Sequence, residues 1–164
     1  MREQTIRLII TVVALMSLSA SSLTGARSSA AADDPVVGQW RLDVSKSKYS
    51  PGPGPKSETR TYRTTGEGVQ AVIVRTHQDG RVETIEYGAN YDSVNHVIGT
   101  PDYDAVRLTR VDANTSQATL SHAGKLFGTA RRVIAADGKS MIIEFRQESQ
   151  RPIHNVVHYV KVVP

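Results

Sequence analysis

The sequence predicts an all-β protein built as a single antiparallel up-and-down β-barrel of about 8–10 strands. From Val37 onwards, short strand-like runs alternate with turn signals such as Asp79-Gly80 and Asp137-Gly138, which supply the positive φ angles of tight hairpins. No run in this region keeps a period of 3.6 residues, so no helix is expected. The connections are short, and a meander of this length avoids exposed edges only if its first and last strands pair.

The strand-like runs number ten, and an even number lets the last strand run antiparallel to the first. Their approximate bounds are 37–44, 57–65, 69–78, 81–91, 94–98, 103–111, 115–122, 125–135, 139–148 and 153–163. One connection, residues 45–55, is much longer than the others and has alternating prolines, so it is expected to cross a surface outside the sheet. It would be either a lid that carries Tyr49 over one barrel mouth or a strap that packs across the barrel end.

Residues 1–32 have the pattern of a signal peptide followed by a flexible lead-in. Arg2 and Arg7 precede the 11-residue apolar run 8–18, and small residues follow that leave the cleavage position open. Spanning a bilayer takes about 20 apolar residues, so no stable membrane anchor is expected. We therefore expect an exported protein, periplasmic or secreted, whose residues 33–164 form one barrel domain.

Charge and cysteine content argue against several classes of protein. The chain has 20 Lys and Arg against 16 Asp and Glu, but without residues 1–32 the counts are 17 and 15, a formal charge of +2. The remaining charges alternate in sign along the strands, so no nucleic-acid-binding stripe is predicted. With no cysteine in the chain, disulfides, thiolate zinc sites and a cysteine nucleophile are all excluded.

The beginning of the predicted domain carries a distinctive motif. Gly38-Gln39-Trp40 opens the first strand, and Lys46-Ser47-Lys48-Tyr49-Ser50-Pro51-Gly52-Pro53 follows in the long connection. This opening resembles that of a group of small exported bacterial lipocalin-like proteins in the calycin superfamily, and the similarity extends to Tyr159. The resemblance implies a lipocalin-like barrel and carries no particular activity with it.

The resemblance also implies structural roles at one end of the barrel. In the superfamily, the tryptophan of this motif closes the barrel and usually stacks under an arginine from near the C-terminus, which has no obvious counterpart in this sequence. Trp40 would fill that role, beside Gly38, which allows close backbone approach. If the last strand pairs with the first, Lys161 lies opposite Trp40 and is a candidate cation over its ring, with Arg132 as the other option.

Alternation along most of the strands indicates which side chains face the barrel interior. Polar residues that lie an even number of positions from the inward apolar residues are expected to face inward as well. They form the candidate ligand-binding set: Tyr62, Tyr87, Tyr91, Arg110 and His122. A few polar groups in an apolar cavity are typical of a small-molecule site, and Arg110 could hold the carboxylate of an amphipathic ligand. Alternatively, Arg110 reaches water from the strand end and the tyrosines fill a solid core. The strands at 69–78, 125–135 and 153–163 are apolar on both faces and cannot be oriented.

No motif predicts catalysis, a metal site or a cofactor. His154 and His158 are four residues apart, which in a strand is about 13 Å and too far to share a metal. Phosphate loops, nucleophile elbows and metalloprotease motifs are absent from the sequence. We therefore predict a non-enzymatic protein that binds a small apolar or amphipathic molecule in its barrel. The alternative is an envelope interaction or inhibitor protein with a filled barrel, and neither the ligand nor the oligomeric state follows from the sequence.

Overall fold

The structure, a computed structural model, describes residues 34–65 and 68–163. Within these ranges the chain forms ten β-strands, and no helix there has the length and apolar character needed to cross a lipid bilayer. The strands are β1 (Gly38–Lys48), β2 (Ser57–Thr65), β3 (Gly68–Thr76), β4 (Val82–Gly88), β5 (Val94–Ile98), β6 (Ala105–Arg110), β7 (Thr115–His122), β8 (Lys125–Ile134), β9 (Ser140–Gln147) and β10 (Ile153–Val162).

All ten predicted strands are present, and most of their ends agree to within three residues. The main difference is at β1, which continues to Lys48 instead of ending at residue 44, so the long connection begins only at Tyr49. The pairing of β1 with β10 is irregular between Asp43 and Lys48, which lets the strand bend out of the sheet there. The predicted signal peptide lies outside the described residues.

The sheet closes on itself because β1 pairs with β10. Each of the other strands pairs antiparallel with its neighbours in sequence, which is the predicted up-and-down order. Trp40 lies opposite Lys161 and Gln39 opposite Val162, the register expected from antiparallel closure. The all-β, single-barrel prediction is confirmed, and the architecture is consistent with a lipocalin-like fold. Among the ten described strands, none is left at a free edge of the sheet, because the order is closed.

The barrel core follows the period of two that strands impose. On β3, Val69, Ala71 and Ile73 are buried, while Gln70 and Val74 face solvent. The strands whose orientation could not be predicted are thereby oriented: β8 directs Arg132 inward, and β10 directs Val157 and Tyr159 inward. Side chains of β3, β8 and β10 therefore contribute to the interior of the barrel.

Trp40 closes one end of the barrel. Its side chain is fully buried, and its Nε1 donates a 2.7 Å hydrogen bond to the carbonyl oxygen of Val36 in the segment 34–37. The Nζ of Lys161 lies 5.1 Å from the centroid of the Trp40 ring, as the predicted register requires. Gly38 has a φ of +128°, and a Cβ there would lie 2.7 Å from the Cε of Lys161, so the glycine makes room for this contact.

The 49–56 loop crosses the opposite end, which we call the mouth. On one side, the backbone nitrogen of Ser50 donates to the Oδ1 of Asn155 at 3.2 Å, and the backbone nitrogen of His154 donates to the carbonyl oxygen of Ser50 at 2.8 Å. On the other side, the Nε2 of Gln78 donates to the carbonyl oxygen of Gly54 at 2.9 Å. The loop is thus hydrogen-bonded to both rims of the mouth.

Candidate ligand-binding cavity

The barrel encloses a cavity of about 580 Å³. Its lining extends from the loop at the mouth to Tyr62 and Arg132 towards the closed end. Small inward side chains on β7 and β8 help to leave this space unfilled, since Ala118 lies opposite Ala130 and both line the cavity. The alternative expectation, a solid core filled by tyrosines, is therefore wrong. A volume of this size lies in the range of small-molecule sites.

One wall of the cavity is apolar. It consists of side chains from β6 to β10: Val106, Leu108, Leu120, Phe127, Ile143, Phe145 and Val157. The ring centroids of Phe127 and Phe145 are 6.2 Å apart, and Tyr103 adds a third ring 5.6 Å from Phe127. Phe127 reaches the interior where the register of β7 against β8 shifts, between Leu120 and Ser121. This wall offers aliphatic and aromatic contacts to a ligand.

The facing wall is polar and is organised by β2. Glu58, Arg60 and Tyr62 are two residues apart along this strand, so all three line the cavity. Extended backbone places the first and last of them about 13 Å apart, which spreads polar groups along the length of the cavity.

Glu58 is the centre of a buried ion-pair network. Its carboxylate accepts hydrogen bonds of 2.6 Å from the Nε of Arg60, the Nε of Arg75 and the hydroxyl of Tyr159. Arg75 also bonds Glu83 at 3.2 Å, so the network links β2, β3, β4 and β10. Every oxygen of Glu58 is engaged, and removing one partner of such a network is costly.

The pKa of Glu58 reports the strength of this network. Burial alone would raise the pKa of this carboxyl group, but the guanidinium groups of Arg60 and Arg75 outweigh burial and hold its pKa at about 2. Glu58 is therefore ionised at neutral pH and cannot act there as a proton donor.

Two tyrosines lie beside the network, nearer to the closed end. The side chains of Tyr62 and Tyr87 are close enough to affect each other's pKa. Burial raises the pKa of Tyr87 well above its ordinary value. Burial acts in the same direction on Tyr62, but Arg60 and Arg132 outweigh it and lower the pKa of this phenol. Tyr62 thus lies in a locally positive environment.

Arg132 on β8 supplies much of that positive field. Its side chain is only 8% exposed, and its guanidinium carbon lies 5.5 Å from the centroid of the Tyr62 ring. One Nη2–H donates a 2.6 Å hydrogen bond to the hydroxyl of Tyr91. The Nε of Arg132 has no hydrogen-bond partner among the described residues. The option that placed Arg132 over Trp40 is thus wrong, because Lys161 occupies that position.

Apart from His122, the predicted binding residues are divided between three places. Tyr62 and Tyr87 line the cavity, and Tyr49 lies at its mouth, half-buried against the core. Tyr91 and Arg110 lie outside the cavity lining, near the closed end, where the guanidinium carbon of Arg110 is 4.0 Å from the centroid of the Tyr91 ring.

The expected inward position of His122 is wrong. His122 alternates in step with the inward residues Ala118 and Leu120, but it lies at the very end of β7, beyond the register shift. There it pairs with Lys125 in the β7–β8 hairpin, and its side chain is exposed. The expected use of Arg110 for a ligand carboxylate is not supported by its position either. Arg110 is instead paired with Asp34 in the segment that covers the closed end.

The predicted set did not include the charged groups and the hydroxyl that organise the cavity interior, which belong to Glu58, Arg60, Arg75, Arg132 and Tyr159. Alternation from Tyr62 along β2 already predicted that Arg60 faces inward, and one further step along the strand could have identified Glu58. The other three residues lie on β3, β8 and β10, whose two faces are equally apolar in the sequence, so only the closed structure distinguishes inside from outside. Among residues 34–65 and 68–163, no group of three or more His, Asp or Glu is arranged to hold a metal ion.

Comparison of the chain with protein-family models, with curated proteins and with solved structures found no match. The interpretation of the cavity therefore depends on its own chemistry, namely one apolar wall, one charged wall and a buried arginine.

Proposed function

We propose that this protein is an exported lipocalin-like binding protein that holds a small amphipathic molecule inside its barrel. The observation that carries the proposal is the cavity of about 580 Å³, which has an aromatic and aliphatic wall facing a polar one. An apolar pocket with a few convergent polar groups is the usual form of a small-molecule site. Export is supported by the basic, apolar and small-residue pattern of residues 1–32.

Binding explains the interior better than catalysis does. Glu58 is ionised and engaged by three donors, so it is poorly suited to general acid–base chemistry near neutral pH. Each of these contacts instead makes the interior rigid, which suits a preorganised binding site. An envelope interaction protein with a filled barrel would not need a cavity of this volume.

The test is native mass spectrometry of protein purified from the envelope of cells that express it. We expect the wild-type protein to carry a non-covalently bound small molecule. Ala118→Phe places a large ring in the cavity and should leave the protein empty, because Ala118 lines the cavity wall. Thr119→Phe is the matched control, since Thr119 is the next residue of β7 and faces solvent. If the wild-type protein stays empty, even after incubation with a total extract of the same cells, the proposal fails.

A further inference from the structure

The charges below the mouth of the cavity do not balance. Three arginines line this part, Arg60, Arg75 and Arg132, and their two carboxylate neighbours are Glu58 and Glu83. Glu58 pairs with both Arg60 and Arg75, and Glu83 pairs with Arg75 and with the Nε2 of His77. Both carboxylates are therefore already paired with residues of β2, β3 and the β3–β4 connection, and neither is paired with Arg132.

Arg132 has no carboxylate partner among residues 34–65 and 68–163. Its hydrogen bond goes to Tyr91, a neutral phenol, and its Nε is buried without a partner. Burial opposes the charge of Arg132, whereas the phenols around it and, to a smaller extent, Asp34 raise its pKa; the ion pair of Asp34 is with Arg110. A buried charge is strongly unfavourable unless it is paired and hydrogen-bonded. Within the part of the chain that the structure describes, Arg132 is thus a buried cation without an anion.

The position of Arg132 shows where the anion would lie. Tyr91 links Arg132 to the closed end, because the Tyr91 ring packs against Arg110, which is bound to Asp34 in the covering segment 34–37. Arg132 also lies over the ring of Tyr62, and both side chains line the cavity. An anion at Arg132 would therefore lie at the closed end, with the apolar wall between it and the mouth.

We propose that the ligand is an organic acid with an apolar body, which enters head first and places its carboxylate on Arg132. This inference rests on the proposed binding function and specifies its ligand class. A carboxylate has the single negative charge that balances one unpaired arginine, and its two oxygens match the planar fork of a guanidinium group. The apolar body packs against Phe127, Phe145 and the aliphatic residues beside them, and its tail points towards the mouth.

The first test compares three ligands with the same ten-carbon chain by isothermal titration calorimetry: decanoate, 1-decanol and decyl phosphate. We expect the wild-type protein to bind decanoate at least tenfold more tightly than 1-decanol. Arg132→Gln should lose this preference, with at least a tenfold weaker affinity for decanoate and an unchanged affinity for 1-decanol. Arg131→Gln is the matched control because Arg131 is the neighbouring residue, is exposed and points out of the barrel. It should bind all three ligands as the wild-type protein does.

The outcomes separate this inference from the proposed function. If the wild-type protein binds 1-decanol and decanoate equally well, or if Arg132→Gln keeps the preference, the cavity binds ligands but the acid-binding role of Arg132 is wrong. Tighter binding of decyl phosphate than of decanoate overturns the carboxylate assignment. If none of the three ligands binds to the wild-type protein, the binding of alkyl chains in the cavity is contradicted as well.

A second measurement needs no change at Arg132. Arg60 and Arg132 lower the pKa of Tyr62, so a carboxylate placed on Arg132 should raise the pKa of this phenol again. We expect the lowest-pH tyrosinate absorbance step, assigned with Tyr62→Phe, to move to higher pH with saturating decanoate but not with 1-decanol. A step that does not move when decanoate is bound would place the carboxylate away from Arg132 and overturn the proposal.

Discussion

At the scale of single residues, Trp40 is the largest of the fully buried side chains among the described residues, and it closes one end of the barrel. It is fully buried, and its indole nitrogen is satisfied by the carbonyl oxygen of Val36. We expect Trp40→Ala to lower the free energy of unfolding by about 3–5 kcal/mol, the usual cost of removing a buried large aromatic ring. Lys161→Ala should cost about 0.5–2 kcal/mol, because it removes only a cation–π contact. Urea denaturation measures both, and equal losses in the two variants would contradict this ranking.

Glu58 is a second residue with a measurable effect of its own, which depends on pH. Its pKa is about 2 in the folded protein against an ordinary value of 4.5. Its contribution is therefore complete above its ordinary pKa and is lost as the pH falls through the folded-state value, on the order of 3 kcal/mol in all. At neutral pH, Glu58→Gln should destabilise the protein by about 3–5 kcal/mol, since Arg60 and Arg75 lose their shared anion.

The measurement for Glu58 is urea denaturation across the acid range. Glu58→Gln should show a smaller loss of stability between about pH 5 and pH 2.5 than the wild-type protein does. Glu148→Gln is the control, because Glu148 is exposed in the β9–β10 connection. A wild-type acid dependence that Glu58→Gln leaves unchanged would show that other carboxyl groups determine acid unfolding.

At the scale of elements, the 49–56 loop lies across the mouth of the cavity. A Cβ on Gly54 would lie 2.2 Å from the Cε2 of Tyr49, so the Tyr49 ring would have to move, whereas a Cβ on Gly52 would meet only the carbonyl oxygen of Tyr49 at 3.7 Å. We expect Gly54→Ala to displace Tyr49 and to speed the association of 1-decanol in stopped-flow measurements. Gly52→Ala should leave the rate unchanged. Equal rates in both variants would mean that the loop is a strap and that Tyr49 does not limit entry.

The strands contribute unequally to the interior. β2 carries a charged or hydroxyl group at each of three successive inward positions, whereas β7 carries the small residues Ser116 and Ala118 at the corresponding face. The inward residues of β2 form the polar wall, and the small inward residues of β7 leave space for the cavity. A cavity with two different walls therefore results from strands that share one geometry but differ in inward side chains.

At the scale of the whole molecule, pairing of β1 with β10 converts an open meander into a barrel. Gln39 and Val162 are Cα partners across this seam, and Thr119 and Thr129 are partners within one hairpin. Because a disulfide stabilises more when it closes a longer loop, Gln39→Cys/Val162→Cys should stabilise by about 5 kcal/mol and Thr119→Cys/Thr129→Cys by about 3 kcal/mol. Denaturation of the oxidised and reduced forms measures both. A seam disulfide that fails to form would contradict closure.

Much of the fold could be predicted from local patterns. Turn residues such as Asp137-Gly138 and alternation along β9 depend only on neighbouring residues, so strand number and order follow from them. The contact of Lys161 with Trp40 could also be predicted. Once the first and last strands are assumed to pair, their register places these two residues opposite each other. The end of β1 was missed, because its polar residues up to Lys48 remain in a strand only through pairing with β10.

The sequence by itself determined an all-β meander of ten strands, the pairing of its ends and the position of Trp40. Only the tertiary structure decided which face of β3, β8 and β10 points inward, because alternation carries no information where both faces are apolar. That choice places Arg132 in the cavity and leaves it without a carboxylate partner among the described residues, while Arg110 is paired with Asp34 outside the cavity lining. Charge balance in a closed barrel depends on contacts between distant strands, and no local pattern encodes it.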